Sequence, residues 1–418
     1  MKQTPESPRG FASHVITRAV IMAPPRVFIV AAKRTPFGAF GGALKGHSAT
    51  ALCVHSTQAA LAAGNVPADA VDSVTIGNVQ QTSGDAAYMA RHVALKSGMR
   101  IETPCLSINR LCGSGFEAVV TGARDIILGD AEVAVAAGSE NMSQAPMSVY
   151  GQNCRWGTRL GLDLKLEDTL WAGLTDSHAK TPMGVTAENL AEDYGISRAE
   201  SDAYAIQSQT RWAAAHAAGK FNAELAPIEL KGKKGPVTFD TDEHPKPQAT
   251  VEKISKLPTT FKKDGVVSPA SASGICDGAA TLVLASEAAV DARGLSPLAE
   301  LVSWASVGVE PSRMGIGPVP AIEAALGKAG LQVGDVGLYD INEAFAPQFL
   351  ACAKALKLDL DRTNVCGGAI ALGHPLGASG ARITAHLAHA IARGDSDYAV
   401  GSACIGGGQG IALVLKKA

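Results

Sequence analysis

Apolar and polar residues follow two periods along most of the chain, one typical of strands and one typical of helices. Residues 26–38 (RVFIVAAKRTPFG) open with a β-branched apolar run and end at a Pro-Phe-Gly turn, which predicts a strand. Residues 48–64 (SATALCVHSTQAALAAG) have apolar side chains at helical spacing and end at a glycine. Residues 71–79 (VDSVTIGNV) predict another strand. This alternation continues through most of the first 145 residues and is typical of an α/β fold with a largely parallel sheet.

The middle of the chain departs from this alternation. Residues 196–221 (ISRAESDAYAIQSQTRWAAAHAAGKF) predict one long helix, with Ser197 and Glu200 at capping-box spacing and Gly219 at the far end. Charged residues and prolines follow in KGKKGPVTFDTDEHPKPQ. We therefore expect residues 148–291 to form an inserted domain of helices and loops.

The alternation returns near residue 292, and this last part of the chain resembles the beginning. Cys112 follows Asn78 after 34 residues, and His374 follows Asn342 after 32. Each half places a glycine-flanked reactive residue before a predicted helix, then a strand that ends in a glycine-rich turn. We infer an internal duplication, with one core half over residues 26–147 and the other over 292–418. Halves joined edge to edge would bring their matching loops to one face, where ligands bind outside the strand ends.

Composition narrows the class of protein. Hydrophobic residues make up 46% and charged residues 18%, and the formal net charge is −2. Such a chain lacks the excess of one charge that favours nucleic acid or anionic membranes. No stretch reaches the roughly 18 consecutive apolar residues that a membrane-spanning helix needs. We expect neither a nucleic-acid partner nor membrane insertion.

The eight cysteines are irregularly spaced and none forms a CxxC pair. We therefore expect no metal site. A disulfide framework is also not expected, because a chain of this length can bury its own core. In a reducing compartment most of these cysteines would be small core residues, and one or two would be reactive thiols.

Residues 1–25 differ in composition from the rest of the chain. They carry Lys2, Arg9 and Arg18, several hydroxyl residues and a single acidic residue, Glu6. This composition is typical of an organellar transit peptide. Two alternatives stay open, namely a disordered tail and translation that begins at Met22.

Cys112 and His374 are the first candidates for chemistry. Cys112, in NRLCGSGFEAV, precedes a predicted helix, so the positive end of the helix dipole should favour its thiolate and lower its pKa. Glycines at 113 and 115 leave room for a substrate, which a buried inert cysteine would not need. His374 lies between a glycine and a proline at the matching place in the second half. A lone histidine is more often structural, but a Cys–His pair within hydrogen-bond reach generates a thiolate at neutral pH.

Six long motifs follow one another between about residue 26 and the C-terminus: VAAKRTPFGAFGG, INRLCGSGFEAV, LTDSHAKTPMGVTAENLA, INEAFAPQF, GGAIALGHPLGASGAR and GSACIGGGQG. In these motifs the chain resembles the thiolase family. The resemblance implies the thiolase fold, with two duplicated α/β halves on mixed five-stranded sheets, helices in layers and an inserted loop domain that binds CoA. It also implies an acyltransferase of fatty acid β-oxidation. Such an enzyme cleaves a 3-ketoacyl-CoA with CoA, by a ping-pong mechanism, into acetyl-CoA and an acyl-CoA two carbons shorter.

The resemblance implies a role for each reactive residue. Cys112 would take the acyl group as a thioester, and His374 would accept its proton. Cys404 would move a proton at the carbon next to the carbonyl, which suits a thiol because its pKa lies near ambient pH.

The resemblance also implies two oxyanion holes. One would use the backbone N–H groups of Cys112 and Gly406. The other would use His374 with a water held by Asn342. Glu343 has a weaker claim and would only shape its loop.

For CoA, the resemblance implies Lys246 near the adenine and phosphates and Ser273 near the pantetheine. The alternative for Lys246 is a solvated charge in a charged run. Ser271 and Cys366 stand where thiolases usually carry asparagine, and the second change could alter the hydrogen bonds of the His374 loop. The resemblance calls for no metal or redox cofactor. It implies CoA as a co-substrate.

Other functions remain open at this point. The nearest is acetoacetyl-CoA synthesis by the same chemistry, although SHAKTPMG lacks the His-Met pair that many short-chain biosynthetic thiolases carry. A ketoacyl synthase would lack the second reactive cysteine, and a non-catalytic acyl-CoA-binding protein would have lost a reactive residue. The resemblance further implies a dimer through the core sheets, a tetramer built from two dimers, and a place in the mitochondrial matrix.

Overall fold

The computed structural model describes residues 25–418, so the predicted transit peptide, residues 1–25, lies outside the described residues apart from Pro25. The strands are β1 (Val27–Arg34), β2 (Gly38–Ala39), β3 (Ser73–Gly77), β4 (Cys105–Ile108), β5 (Val133–Asn141), β6 (Met147–Ser148), β7 (Glu167–Asp168), β8 (Thr175–Asp176), β9 (Thr181–Pro182), β10 (Ile228–Gly232), β11 (Gly235–Phe239), β12 (Cys276–Ser286), β13 (Ala299–Gly308), β14 (Leu338–Ile341), β15 (Tyr398–Ile405) and β16 (Gln409–Lys416). The helices are α1 (Ala49–Ala63), α2 (Met89–Lys96), α3 (Ser114–Leu128), α4 (Thr169–Gly173), α5 (Met183–Tyr194), α6 (Arg198–Ala217), α7 (Val251–Ile254), α8 (Glu287–Arg293), α9 (Pro318–Ala329), α10 (Ala346–Leu356), α11 (Ala369–Leu372) and α12 (Leu376–Ala392). Within this range no helix has the length and apolar character to cross a membrane.

The core strands form one continuous sheet in the order β14-β15-β16-β13-β1-β12-β5-β3-β4. In the first half β3 is parallel to β5, β5 is antiparallel to β12, and β12 is antiparallel to β1. In the second half β14, β15, β16 and β13 repeat this order and these directions. The two halves therefore share one topology, as the inferred duplication requires.

The two halves differ at one edge and meet at the other. In the first half β4 pairs in parallel with β3 as a fifth strand. In the second half the same place holds a single parallel bridge, between Tyr339 and Thr363. The halves join where Val27–Ile29 of β1 pairs antiparallel with Ala299–Leu301 of β13.

The predicted boundary of the insertion, residues 148–291, needs a correction. Strand β12 falls within this range, yet it pairs with β1 and β5 in the core sheet of the first half. Every residue of β12 is buried. A strand covered on both faces shows no alternation of apolar and polar residues, so the pattern did not separate it from the insertion.

Alternate residues of the core strands point to different layers. Ala136 and Leu413 face a central core that includes residues of α3 and α12. Their neighbours Val135 and Val414 face two outer cores, which include residues of α1 and α2 in the first half and of α9 and α10 in the second. The two central helices are thus enclosed by the two halves of the sheet, with further helices outside.

The predicted helix over residues 196–221 is confirmed as α6. Its capping box is complete, because the Ser197 side chain accepts from the Glu200 backbone and the Glu200 side chain accepts from the Ser197 backbone. Gly219 follows the helix with φ of 69°, a left-handed conformation that favours glycine.

The two central helices approach each other at their first turns. A Cβ atom at Gly115 of α3 would overlap backbone atoms of Ala381 and Gly377 of α12. A Cβ atom at Gly138 of β5 would overlap the carbonyl oxygen of Gly377. Only glycine allows these backbone contacts. They hold together the two loops that precede α3 and α12, and these loops carry Cys112 and His374.

Substituting Gly138 with alanine is expected to lower the free energy of unfolding by roughly 1–3 kcal/mol, because the added methyl group forces α12 away from β5. The matched control is Gly327→Ala in α9, where a Cβ atom meets nothing within 4 Å. Alanine there should raise stability by roughly 0.5–1 kcal/mol, since glycine weakens a helix. Denaturant unfolding measures both, and equal midpoints for the two variants would contradict this account of the helix contact.

Candidate functional site

Cys112 and His374 line one cavity of about 410 Å³, here called the reaction cavity. The first residue precedes α3 and the second precedes α12. Ser273, Ala344 and Phe345 line the same cavity. Loops from both core halves therefore meet here, together with residues of the predicted insertion.

The turn before α3 presents the Cys112 thiol. Leu111 has φ of 47°, a left-handed conformation that costs free energy for a residue other than glycine. The Ser114 hydroxyl stabilises this turn, because it accepts from the Arg110 backbone and donates to the Leu111 carbonyl. The backbone amides of Gly406 and of Cys112 itself lie close enough to the Cys112 sulfur to favour its thiolate. Two backbone amides therefore adjoin the sulfur.

The prediction of a lowered Cys112 pKa is wrong for the free protein. Burial raises the pKa of the Cys112 thiol to about 11, and the two amide donors offset this only in part. The negative charge of Glu140 raises the pKa further. Cys112 is therefore a neutral thiol at pH 7, and its reaction requires a base that removes the proton as the sulfur attacks.

His374 is a neutral base held in one orientation. Its Nδ1 lies 2.6 Å from the Ser379 hydroxyl, which donates to the Pro375 carbonyl at 3.1 Å. Since the hydroxyl proton is used there, Ser379 accepts from Nδ1–H, and Nε2 keeps its lone pair. Burial, together with the charge of Arg382, lowers the pKa of His374 to about 4. The imidazole is therefore uncharged at pH 7 and able to accept a proton at Nε2.

Asn342 lies beside this lone pair at the end of β14. Its Nδ2 is 3.4 Å from Nε2 of His374, and its backbone N–H donates to the Ser402 carbonyl. Asn342 is fully buried, and its Oδ1 has no hydrogen-bond partner in the part of the chain that the structure describes. The side chain thus has an unused acceptor beside His374.

Glu343 shapes the loop that leads to His374. Its carboxylate accepts from the hydroxyls of Tyr204 and Ser208 on α6, at 2.6 and 2.7 Å. It also accepts from the Asn364 side chain and the Ile370 backbone. These four bonds tie α6 to residues 364–370. They agree with the weaker, loop-shaping role predicted for Glu343.

Cys404 lies near the end of β15 and is fully buried. It packs in an apolar cluster with Met314 and Phe345, both of which line the reaction cavity. Burial and the nearby Cys112 raise the pKa of the Cys404 thiol well above its ordinary value. Opposite Cys404 in the β15–β16 hairpin is Gly410, where a Cβ atom would overlap the Gly317 backbone. The glycine-rich turn is therefore also needed for packing.

The two residues predicted to bind CoA lie in neighbouring cavities. Ser273 lines the reaction cavity, whereas Lys246 lines a second cavity of about 280 Å³, here called the outer cavity. Ala272 lines both cavities, so the two adjoin. The Ser273 backbone donates to the Ala344 carbonyl and the Lys246 backbone donates to Gln209, while the Lys246 side chain is exposed.

The two departures from the thiolase motifs have local roles. The Ser271 hydroxyl accepts from the Ser268 backbone and closes a tight turn. His386 pairs with Glu224 through Nδ1, and the nearby Cys366 contributes to raising the pKa of His386. Both Cys366 and His386 line a small cavity apart from the reaction cavity. The expected effect of Cys366 on the His374 loop therefore has no direct contact to support it.

Sequence reasoning missed the apolar side of the reaction cavity, here called the apolar wall. It consists of Met142, Leu170, Trp171, Leu174, Phe261 and Phe345. Three of these residues come from α4 and its C-terminal cap, and Asp168 caps the start of this helix. Leu170, Trp171 and Leu174 have the spacing of one face of a helix, which could have indicated α4. The helix is short and lies among loops, so the apolar pattern does not extend far enough to predict it.

Two sequence patterns of known families match the chain. "Thiolase, N-terminal domain" matches residues 27–288 and "Thiolase, C-terminal domain" matches residues 295–417. The mouse protein named mitochondrial 3-ketoacyl-CoA thiolase is 60% identical over 391 residues, which cover 94% of this chain and 98% of the mouse protein. An acetyl-CoA acetyltransferase of Pseudomonas aeruginosa is 46% identical over 396 residues, 94% of this chain and 99% of that protein. The crystal structure of human mitochondrial 3-ketoacyl-CoA thiolase in complex with CoA superposes with a TM-score of 0.92 at 56% identity, covering 94% of this chain and 98% of the human one.

The raised pKa of Cys112 predicts how the thiol reacts with iodoacetamide. The alkylation rate at Cys112, followed by peptide mass spectrometry, should still rise above pH 9, because the thiolate population grows toward a pKa of about 11. Free N-acetylcysteine, the control, should level off near its ordinary pKa of about 8.5. A Cys112 rate that is already constant by pH 8 would show that the resting enzyme holds a thiolate.

Proposed function

The chain belongs to the thiolase family, and we propose from this that it cleaves 3-ketoacyl-CoA with CoA in fatty acid β-oxidation. The enzyme is an acyltransferase that yields acetyl-CoA and an acyl-CoA two carbons shorter. The observation that carries the proposal is the pairing of Cys112 with a neutral His374 in one cavity. The backbone amide of Gly406 also adjoins the Cys112 sulfur and favours its thiolate.

In the first half-reaction Cys112 attacks the 3-keto carbon of the substrate. Its proton passes to the unprotonated Nε2 of His374, which lies 3.4 Å from Nδ2 of Asn342. The carbonyl oxygen becomes negative and is stabilised by the N–H groups of Cys112 and Gly406. Both amides adjoin the sulfur, so they are close to the carbonyl oxygen once the carbon–sulfur bond forms.

The carbon–carbon bond then breaks, and its electrons go to the carbon next to the thioester of the leaving acetyl-CoA. Cys404 protonates that carbon, for which its raised pKa suits it, because the thiol keeps its proton until the carbanion forms. The enolate oxygen is stabilised by His374 and a water held by Asn342. The unpartnered Oδ1 of Asn342 supports this role.

In the second half-reaction free CoA attacks the Cys112 thioester. The proton of the CoA thiol returns to the Cys404 thiolate, and Cys112 leaves with the proton that His374 held. Each of these steps uses this chain's own side chains and backbone. We therefore propose no resident cofactor, with CoA as the co-substrate.

CoA binds across the two adjoining cavities. The outer cavity receives the adenine nucleotide, where the exposed ammonium of Lys246 meets the phosphates. The pantetheine passes Ala272 and Ser273 and brings its sulfur into the reaction cavity. The apolar wall receives the acyl tail, which makes the cavity suited to chains longer than four carbons.

Cleavage of longer chains is favoured over acetoacetyl-CoA synthesis by two observations. The apolar wall offers apolar surface that a two-carbon group does not use. The identity to the mouse 3-ketoacyl-CoA thiolase, 60%, also exceeds the identity to the Pseudomonas acetyl-CoA acetyltransferase, 46%.

CoA-dependent cleavage of 3-ketoacyl-CoAs from about four to sixteen carbons tests this function. We expect activity on medium and long chains, and a loss of at least roughly 10³-fold in Cys112→Ser, because the nucleophile is replaced by a weaker one. Cys154→Ser is the matched control, since Cys154 is exposed and lines neither cavity. Activity confined to acetoacetyl-CoA would move the assignment to the biosynthetic enzyme.

We further propose a dimer through the core sheets and a tetramer made of two dimers. The edge strand β4 ends the sheet with unpaired backbone groups and an exposed Leu106. A second surface, here called the apolar loop, exposes large side chains within residues 147–171: Met147, Tyr150, Trp156, Leu160, Leu162, Leu164, Leu166 and Trp171. Exposed groups of large apolar side chains often mark interaction surfaces, so we propose the apolar loop as the second contact between subunits.

Sedimentation should therefore give a species of about four chain masses. Replacing Leu160 and Leu164 of the apolar loop with aspartate should leave a dimer, because two charges then oppose burial of that surface. A wild-type monomer at micromolar concentration would contradict the proposed assembly.

Mouse and human relatives, 60% and 58% identical to this chain, are named mitochondrial, and we propose the mitochondrial matrix as the location of this protein. The basic, hydroxyl-rich composition of residues 1–25 supports the proposal. A reporter fused to these residues should enter the matrix, and a cytosolic reporter would contradict it.

A further inference from the structure

We propose that Glu140 is a positioning residue of this site, whose carboxylate fixes the start of the helix after His374 relative to the first core half, which carries Cys112. The inference rests on the proposed function, because it concerns how the same two residues react. Glu140 lies near the end of β5 and is fully buried. It does not line the reaction cavity, so it acts through other groups.

The contacts of Glu140 join the two core halves at the site. One carboxylate oxygen, Oε2, accepts from the backbone of Gly377 at 2.9 Å and from the backbone of Val79 at 3.1 Å. Gly377 is in the first turn of α12, three residues after His374. Val79 is in the loop after β3. A single oxygen atom therefore ties the start of the His374 helix to the first core half.

The other carboxylate oxygen of Glu140 accepts two further hydrogen bonds, and the four bonds together require the ionised carboxylate. Oε1 accepts from the backbone of Gln80 at 2.9 Å and from the Asn78 side chain at 3.1 Å. Four donors on two oxygens match a carboxylate, which accepts at both oxygens and donates at neither. A proton or an amide nitrogen placed there would face a donor, and the contact would become repulsive.

The duplication places Glu140 where the other half has Cys404. Gly77 of β3 pairs with Gly138 of β5, and Ile341 of β14 pairs with Ser402 of β15. The asparagines of the two halves follow Gly77 and Ile341 directly. Two residues beyond Gly138 is Glu140, and two residues beyond Ser402 is Cys404. One copy of this position thus carries a proposed acid–base thiol, and the other carries a carboxylate.

The charge of Glu140 acts on Cys112. It raises the pKa of the Cys112 thiol, so the sulfur keeps its proton until His374 accepts it. Asp277 of β12 pairs with Asn141, the residue after Glu140, and adds a second negative charge nearby. Burial, with a contribution from Asp277, raises the pKa of Glu140 to about 7.

Glu140→Gln separates this role from a merely structural one. The amide keeps the volume, but its nitrogen faces two donors, so the His374 loop shifts and kcat should fall roughly 10²-fold with a smaller change in KM. Loss of the negative charge should also move the pH midpoint of Cys112 alkylation downward by roughly half to one pH unit. Glu140→Asp keeps the charge, so kcat should fall while the midpoint stays.

Glu343→Gln is the matched control for stability and for thiol titration. Glu343 is also a buried carboxylate with four donors, but its charge does not act on Cys112. This variant should lose stability to a similar degree and keep the wild-type alkylation midpoint. Wild-type kcat in Glu140→Gln, or an unchanged midpoint like that of Glu343→Gln, would overturn the proposal.

A second variant and an activity-independent measurement complete the test of the proposed role of Glu140. If Glu140→Gln does not fold, Asn78→Ala removes one donor to Oε1 and leaves the charge of Glu140 in place. kcat should then fall with a smaller change in KM, while the Cys112 midpoint stays, because Glu140 remains ionised at the high pH where Cys112 titrates. A wild-type kcat in Asn78→Ala would overturn the proposal. Alkylation does not require thiolysis, so a wild-type protein without thiolase activity would refute the proposed function and leave the Glu140 test intact.

Discussion

The site depends on the backbone contact between the first turns of α3 and α12. Each helix follows a loop with one reactive residue, Cys112 or His374, so the contact between the helices sets the distance between thiol and imidazole. Gly115 and Gly138 allow the backbones to touch Gly377 without a side chain between them. The flanking half-sheets then hold both helices from either side. A duplicated fold thus turns two equivalent loops into one cavity.

Burial of this cavity determines its acid–base chemistry. It raises the pKa of Cys112 to about 11 and lowers that of His374 to about 4, so both groups are neutral at rest. Proton transfer between them creates a charge pair only when a substrate carbonyl is present to take up the sulfur's electrons. In the proposed mechanism the amides of Cys112 and Gly406 then stabilise the oxygen, which water would do less well because it must first reorient.

The fold, and the meeting of Cys112 and His374 in one cavity, were largely predictable because long motifs and helical periodicity record them locally. The helix α6, its capping box and the duplicated order of strands follow from such patterns. Strand β12 was misassigned because burial on both faces removes its alternation. The direction of the Cys112 pKa was wrong because desolvation depends on the assembled cavity and not on the helix start alone. Glu140 was missed for the same reason, since its donors are distant in sequence.

The most direct test of the central claim is intact-protein mass spectrometry on a mixture of the enzyme with a 3-ketoacyl-CoA and no free CoA. We expect the mass of the enzyme to increase by one acyl group, located on the peptide that contains Cys112. The added mass should disappear when CoA is supplied, because the thioester is transferred to the CoA thiol. An acyl group on another residue, or turnover with no acylated Cys112, would contradict it.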